Sequence, residues 1–187
     1  MGNTVKTADG KRAVAAKATK NVHIAAEPVK RSGNAKKLGP LVSRGRAGAI
    51  AFFKASPGER VTLIRRGVPA TRVEEIQQGM HLSKERLYGI LGLPRATTVR
   101  KIRERAVLPI DQGERVLGLE HLIGQVSVMV SESGIEEGFD AARWVGEWLE
   151  QPIPALGGAK PADYMDTREG QELVSRLLVQ SQAGVFG

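Results

Sequence analysis

Cysteine is absent from all 187 residues, which excludes a disulfide framework and any thiolate metal site. Aromatic side chains make up only 4% of the chain, so its core has to be aliphatic. No apolar run reaches the ~20 residues that a membrane-spanning helix needs; the stretch at 47–53 is too short. The lysines near the N-terminus are not followed by an apolar segment, so no secretory signal is present. The expectation is a soluble cytoplasmic protein without membrane contact. Histidine is equally sparse. His23, His81 and His121 are far apart and none stands at metal-ligand spacing. There is no G-x-S-x-G and no phosphate loop, since Gly157-Gly158 is followed by Ala-Lys-Pro rather than by G-K-[ST]. The carboxylates read as spread over solvated helix faces. No catalytic, metal or cofactor site emerges, and the chain is not expected to be an enzyme.

What is present is unevenly distributed charge. The net charge is +8, yet residues 1–46 hold eleven basic and two acidic residues, and the rest holds 17 basic and 18 acidic. The basicity therefore belongs to the N-terminal segment. Residues 1–45 are rich in Lys, Ala and Gly without a sustained apolar period, and read as a disordered tail. Such a tail can hold nucleic-acid phosphates by charge or merely keep the chain soluble.

The remainder reads as helix after helix. A short buried helix covers residues 47–53. Ser56-Pro57-Gly58-Glu59 is a capping box with proline at the first helical position, and Gly67 closes that helix. Val68-Pro69 opens another, with Val73, Ile76 and Met80 at helical spacing. Ser83 starts a helix whose core residues are Leu87, Ile90 and Leu91. Asp111 and Glu114 have capping-box spacing before a long helix to about Glu132, apolar on more than one side and so central. Ser133-Gly134 ends it. Phe139, Ala142, Val145, Trp148 and Leu149 mark the next helix, where Trp144 and Trp148 are four apart and stack on one face as core.

A helix, Gly92, the apolar Leu93 and a basic helix over residues 95–105 together have helix-turn-helix spacing. The second helix offers Arg95, Thr97, Arg100, Lys101 and Arg103 to DNA, because arginine bonds guanine edges or phosphates and threonine bonds either. Two positions depart from the pattern: Tyr88 stands where a small residue is usual, and Thr98 where a large aliphatic is usual. A solvated basic helix is the alternative reading.

After Trp148-Leu149, Pro152 and Pro154 forbid helix continuation. Gly157-Gly158 supplies a turn, and Pro161 suits the start of a short helix. Asp166 and Glu169 are spaced as a capping box, placing the start of a last helix near Thr167. Its apolar face is Leu173, Val174, Leu177 and Leu178, with Glu172, Arg176 and Gln180 along another face. Gly184 loosens it, leaving Val185, Phe186 and Gly187 as a free end.

This pattern (Trp-Leu, proline, Pro-Ala-Leu-Gly-Gly at 154–158, Pro161, Gly170, a short apolar helix, then Gly184-Val185-Phe186) resembles the C-terminal domain of the Xre/ParS/MbcA-type antitoxins, partners of RES-domain toxins. The likeness continues upstream to about Ser56, with Gly67-Val68-Pro69-Ala70 resembling a G-L-P-A turn of that family, and does not cover residues 1–45. The resemblance implies an all-α fold: a basic tail over 1–45, a helix-turn-helix region over 46–108 and a toxin-binding domain over 109–187. It implies an antitoxin that blocks the cleft of a RES toxin encoded beside it, one that consumes NAD or uses it to ADP-ribosylate a target. Toxin contact would fall on Lys160, Arg176, Gln180, Val185, Phe186 and Gly187. It further implies repression of the antitoxin's own operon by binding operator DNA as a homodimer, with hetero-oligomers formed on the toxin. The alternative is a free-standing helix-turn-helix regulator whose C-terminal domain dimerises.

Overall fold

The computed structural model describes residues 1–2, 43–134 and 138–182. The tail expectation at 1–45 and the expectation for Val185, Phe186 and Gly187 thus lie almost wholly outside the described residues. The fold is all-α, with eight α-helices among the described residues: α1 (Gly45–Lys54), α2 (Pro57–Arg66), α3 (Thr71–Met80), α4 (Lys84–Ile90), α5 (Arg95–Arg103), α6 (Ile110–Glu132), α7 (Ala141–Leu149) and α8 (Arg168–Gln182). Two 3₁₀ turns, Pro154–Leu156 and Pro161–Tyr164, fill the link from α7 to α8.

Local chemistry sets most boundaries. The Ser56 hydroxyl accepts from the Glu59 N–H while the Glu59 carboxylate accepts from the Ser56 N–H, a complete capping box. Ser83 caps α4 by accepting from the Arg86 N–H at 3.1 Å. Gly67 at φ 97° closes α2, and Gly157 and Gly158, at φ 64° and 87°, make the turn before Pro161.

Three starts differ from their spacing. Val68-Pro69 opens no helix. Pro69 bridges Val107, the Leu108 N–H donates to the Val68 carbonyl at 2.8 Å, and α3 begins at Thr71. Asp111 does not cap α6. The helix already starts at Ile110 behind Pro109, and Asp111 in its first turn pairs with Arg115 at 2.9 Å. Asp166 does not cap α8 either; the Thr167 hydroxyl accepts from the Gly170 N–H at 3.1 Å. Only at α8 does a nearer side chain take the cap; α3 and α6 start behind Ala70 and Pro109 without a side-chain cap. The first helix is also longer than residues 47–53, and α5 stops at Arg103 because Arg105 turns left-handed at φ 52°.

The central helix is α6, as its apolar pattern predicts. Val116, Leu119 and Leu122 are at most 2% exposed, and fully burying one such side chain contributes about 1.5–3 kcal/mol. Its glycines let neighbours touch backbone. A Cβ on Gly124 would lie 2.1 Å from the Ala49 carbonyl oxygen, so α1 crosses α6 at near contact. On α7, a Cβ on Gly146 would lie 2.7 Å from the Met80 carbonyl oxygen, so the end of α3 also comes close there, though less so.

One carboxylate expected on a solvated face is in the interior. Glu120 is 4% exposed and takes a two-pronged bond from Arg72, Nε to Oε2 at 2.8 Å and Nη2 to Oε1 at 2.5 Å. Burial pushes the Glu120 carboxyl above the usual carboxylate range, and Arg72 only partly pulls it back. The pair ties α3 to α6, and losing either partner would strand a buried charge.

Candidate binding interfaces

Two surfaces follow from this frame. The first is built by α4 and α5. Leu87, Ile90, Leu91 and Leu93 are buried beneath them, and the Leu93 N–H donates to the Tyr88 carbonyl at 2.8 Å across the turn. Gly92 sits at φ 57°, and a Cβ there would meet Arg115 Nη1 at 2.9 Å. Arg115 donates to the Gly92 carbonyl at 3.1 Å, so α6 pins the turn. With the turn fixed, α5 presents Arg95, Arg100 and Arg103 to solvent, with Thr97 and Lys101 half-buried. These residues stand on one helix but in different states. Arg95 is paired with Glu85 at 2.9 Å, Lys101 donates to the Val107 carbonyl at 3.2 Å, and Arg100 and Arg103 hold no ion pair among the described residues.

The two departures from the helix-turn-helix pattern are both interior. Tyr88 is 4% exposed and Thr98 is fully buried. Neither the Tyr88 nor the Thr98 hydroxyl finds a hydrogen-bond partner among the described residues. Burial also pushes the Tyr88 phenol above its ordinary value.

The second surface is α8 with the turn before it. Val174, Leu177 and Leu178 are buried against the rest of the fold, Leu173 is half-buried, and Arg176 and Gln180 face solvent one turn apart. Side-chain amides hold the helix down. Gln171 Nε2 donates to the Arg115 and Met165 carbonyls at 3.0 and 2.8 Å. The Ser175 hydroxyl donates to Gln125 Oε1 at 2.7 Å.

Lys160 is not a free cation beside its glycine turn. It pairs with Glu150 at 3.2 Å, and the same carboxylate accepts from Arg86 on α4. The Arg86 bond first, and Lys160 after it, hold Glu150 below the usual carboxylate range, while Glu150 raises Arg86 further. Glu150 therefore joins the helix-turn-helix to the turn that leads into α8.

The matches to known families fall on these two surfaces. The Antitoxin Xre-like helix-turn-helix domain matches residues 59–120. The Antitoxin Xre/MbcA/ParS C-terminal toxin-binding domain matches residues 136–184. The Prs ADP-ribosylating antitoxin of Sphingobium sp. (strain YBL2) is 43% identical over 136 residues, which cover 73% of this chain and 86% of the relative. The chain belongs to the Xre/MbcA/ParS antitoxin family. As an antitoxin of this family it carries α4 and α5 inside its helix-turn-helix domain, and α7, the glycine turn and α8 inside its toxin-binding domain.

Sequence spacing did not single out Glu85, Arg86 or Glu150, whose partners lie across a turn or in another helix. Two clefts open elsewhere on the fold, and only the second reaches α8. One of about 460 Å³ lies over Arg72 and Glu120, and one of about 550 Å³ between α2, α6 and α8 is lined by Arg60, His121 and Gln171. Among the described residues no helix is long and apolar enough to cross a membrane. No group of three or more His, Asp or Glu could hold a metal there.

Proposed function

We propose that this antitoxin acts in the cytoplasm on a RES-domain toxin encoded beside it, one that consumes NAD or uses it to ADP-ribosylate a target. It lodges the end of α8 in the toxin's cleft. The observation that supports this reading is the two-sidedness of α8. Val174, Leu177 and Leu178 are spent on its own core, whereas Arg176 and Gln180 face outward next to the chain end. Arginine is a frequent interface anchor, and its planar fork suits a carboxylate in a pocket. Lys160, Val185, Phe186 and Gly187 complete the contact. The name of the Sphingobium relative includes ADP-ribosylating, which favours the second chemistry.

The division of labour in this reading is a tail over 1–45, a DNA-binding region over 46–108 and a toxin-binding region over 109–187. Arg95, Thr97, Arg100, Lys101 and Arg103 of α5 contact operator DNA. The protein acts there as a homodimer, because one such module makes a small contact, and so represses its operon. It forms hetero-oligomers with the toxin.

Removing residues 180–187 tests the blockade. Among the described residues the buried side chains of α8 all precede residue 180, so helicity and thermal stability should stay near wild type while growth rescue from the co-expressed toxin is lost. Full rescue by the shortened chain would move the blockade to another surface.

A further inference from the structure

We propose that Ala96 and Val99 form an apolar spot on α5 that takes the C5-methyl group of a thymine in the major groove, making Val99 a specificity-determining residue. The proposal rests on the operator-binding reading above.

Val99 is 47% exposed and Ala96 is exposed, three residues before it. Side chains three apart are neighbours on a helix surface, so the two form one patch. The patch is ringed by cations: Arg95 and Arg103 stand four residues either side of Val99, and Arg100 four after Ala96. Holding α5 on the fold does not require Val99. Thr98 is fully buried and Ile102 is half-buried, and they supply the inward side. Valine is also a poorer helix former than arginine or lysine. An exposed valine among arginines therefore weakens α5 slightly and gains nothing in water.

The ring of cations selects a polyanion as the occupant. Within double-stranded DNA the edges of the bases in the major groove are donors and acceptors, with one exception. The thymine methyl is the apolar group there. An apolar spot flanked by phosphate-seeking and guanine-seeking side chains thus has one complementary feature to meet.

The test uses the full-length protein and a duplex carrying the DNA immediately upstream of its own reading frame. Each thymine is replaced singly by uracil, which lacks the methyl and keeps every hydrogen-bonding group. At one or two positions per half-site the replacement should weaken binding about threefold to fivefold, the loss expected for one apolar methyl contact. Val99→Ser should bind thymine and uracil duplexes equally at those positions. The proposal is overturned if the duplex is bound sequence-selectively and no uracil replacement matters, or if Val99→Ser keeps the same uracil penalty. If the protein does not prefer the upstream duplex to a scrambled one, the operator reading falls, and the proposal falls with it. These failures are distinct, because the scrambled duplex tests the first reading and uracil tests the second.

Discussion

Replacing Thr98 by valine should stabilise the protein. Thr98 is fully buried on α5 and its hydroxyl has no partner among the described residues. Burying an unpartnered hydroxyl costs about 1–3 kcal/mol. Valine has nearly the same shape and a similar helix propensity, so the substitution removes that cost and adds a buried methyl without enlarging the side chain. A net gain of about 1–2 kcal/mol is expected. For a folded region of this size that corresponds to a rise in Tm of roughly 3–8 °C. Thermal unfolding followed by far-UV circular dichroism reads it, with urea midpoints as a check on ΔG. Thr97→Val is the control: Thr97 is only half-buried, so its replacement should leave Tm within about 1 °C. A fall in Tm for Thr98→Val would refute the reasoning, because it would mean that the hydroxyl is hydrogen-bonded in solution. Tyr88→Phe tests the same idea at the other unpartnered hydroxyl and should also raise Tm.

Gly124→Ala should destabilise by about 1–3 kcal/mol or more, since its Cβ would meet the Ala49 carbonyl oxygen at 2.1 Å, whereas Gly89→Ala, with nothing within 4 Å, should stabilise α4 by about 0.5–1 kcal/mol; equal Tm values for the two variants would contradict the close approach of α1 and α6. Burial lowers the pKa of His121, which lies against Phe53 at 5.0 Å, so the unfolded chain binds its proton first. Stability should fall as pH drops from its ordinary value of about 6.5 through the lowered folded value, and His121→Gln should flatten that part of a Tm–pH profile. Glu85→Gln releases Arg95 from its ion pair and should tighten DNA binding about twofold to threefold at low salt, an exposed pair being worth little more; a fluorescence-anisotropy titration showing weaker binding would instead make Glu85 a residue that holds Arg95 in place.

How much was legible beforehand depended on how local the cause was. Ser56, Ser83, Gly67 and Gly134 mark helix ends through their own backbone or hydroxyl, and the structure places those ends where they predict. Asp166 misleads because a capping-box spacing says nothing of a neighbouring threonine that takes the cap first, and Asp111 because α6 already begins at Ile110 behind Pro109, which puts the aspartate inside the first turn. The Arg72–Glu120 pair spans 48 residues, so each member reads alone as an ordinary surface charge. Its one trace in the sequence is an acid set among Leu119, Leu122 and Ile123. For the interfaces, the basic run of α5 and the mixed faces of α8 were legible from helical spacing. The pairing of Arg95 with Glu85 and of Lys160 with Glu150 was not, since it depends on how the turns bring separate helices together.

The two indoles of α7 have a practical consequence. Trp144 and Trp148 are the chain's two tryptophans and stack with centroids 5.9 Å apart and planes 11° from parallel. All tryptophan emission therefore originates from one nine-residue helix, at the joint between the helix-turn-helix side and the glycine turn. Two half-buried chromophores that close and nearly parallel couple to each other, so their near-ultraviolet signal depends on spacing as well as on solvent. Selective excitation at the red edge thus reports on this joint alone, without any introduced dye. A partner that docks on α8 or its turn and shifts α7 would announce itself optically, while one that engages only the far side of α5 would leave the emission unchanged.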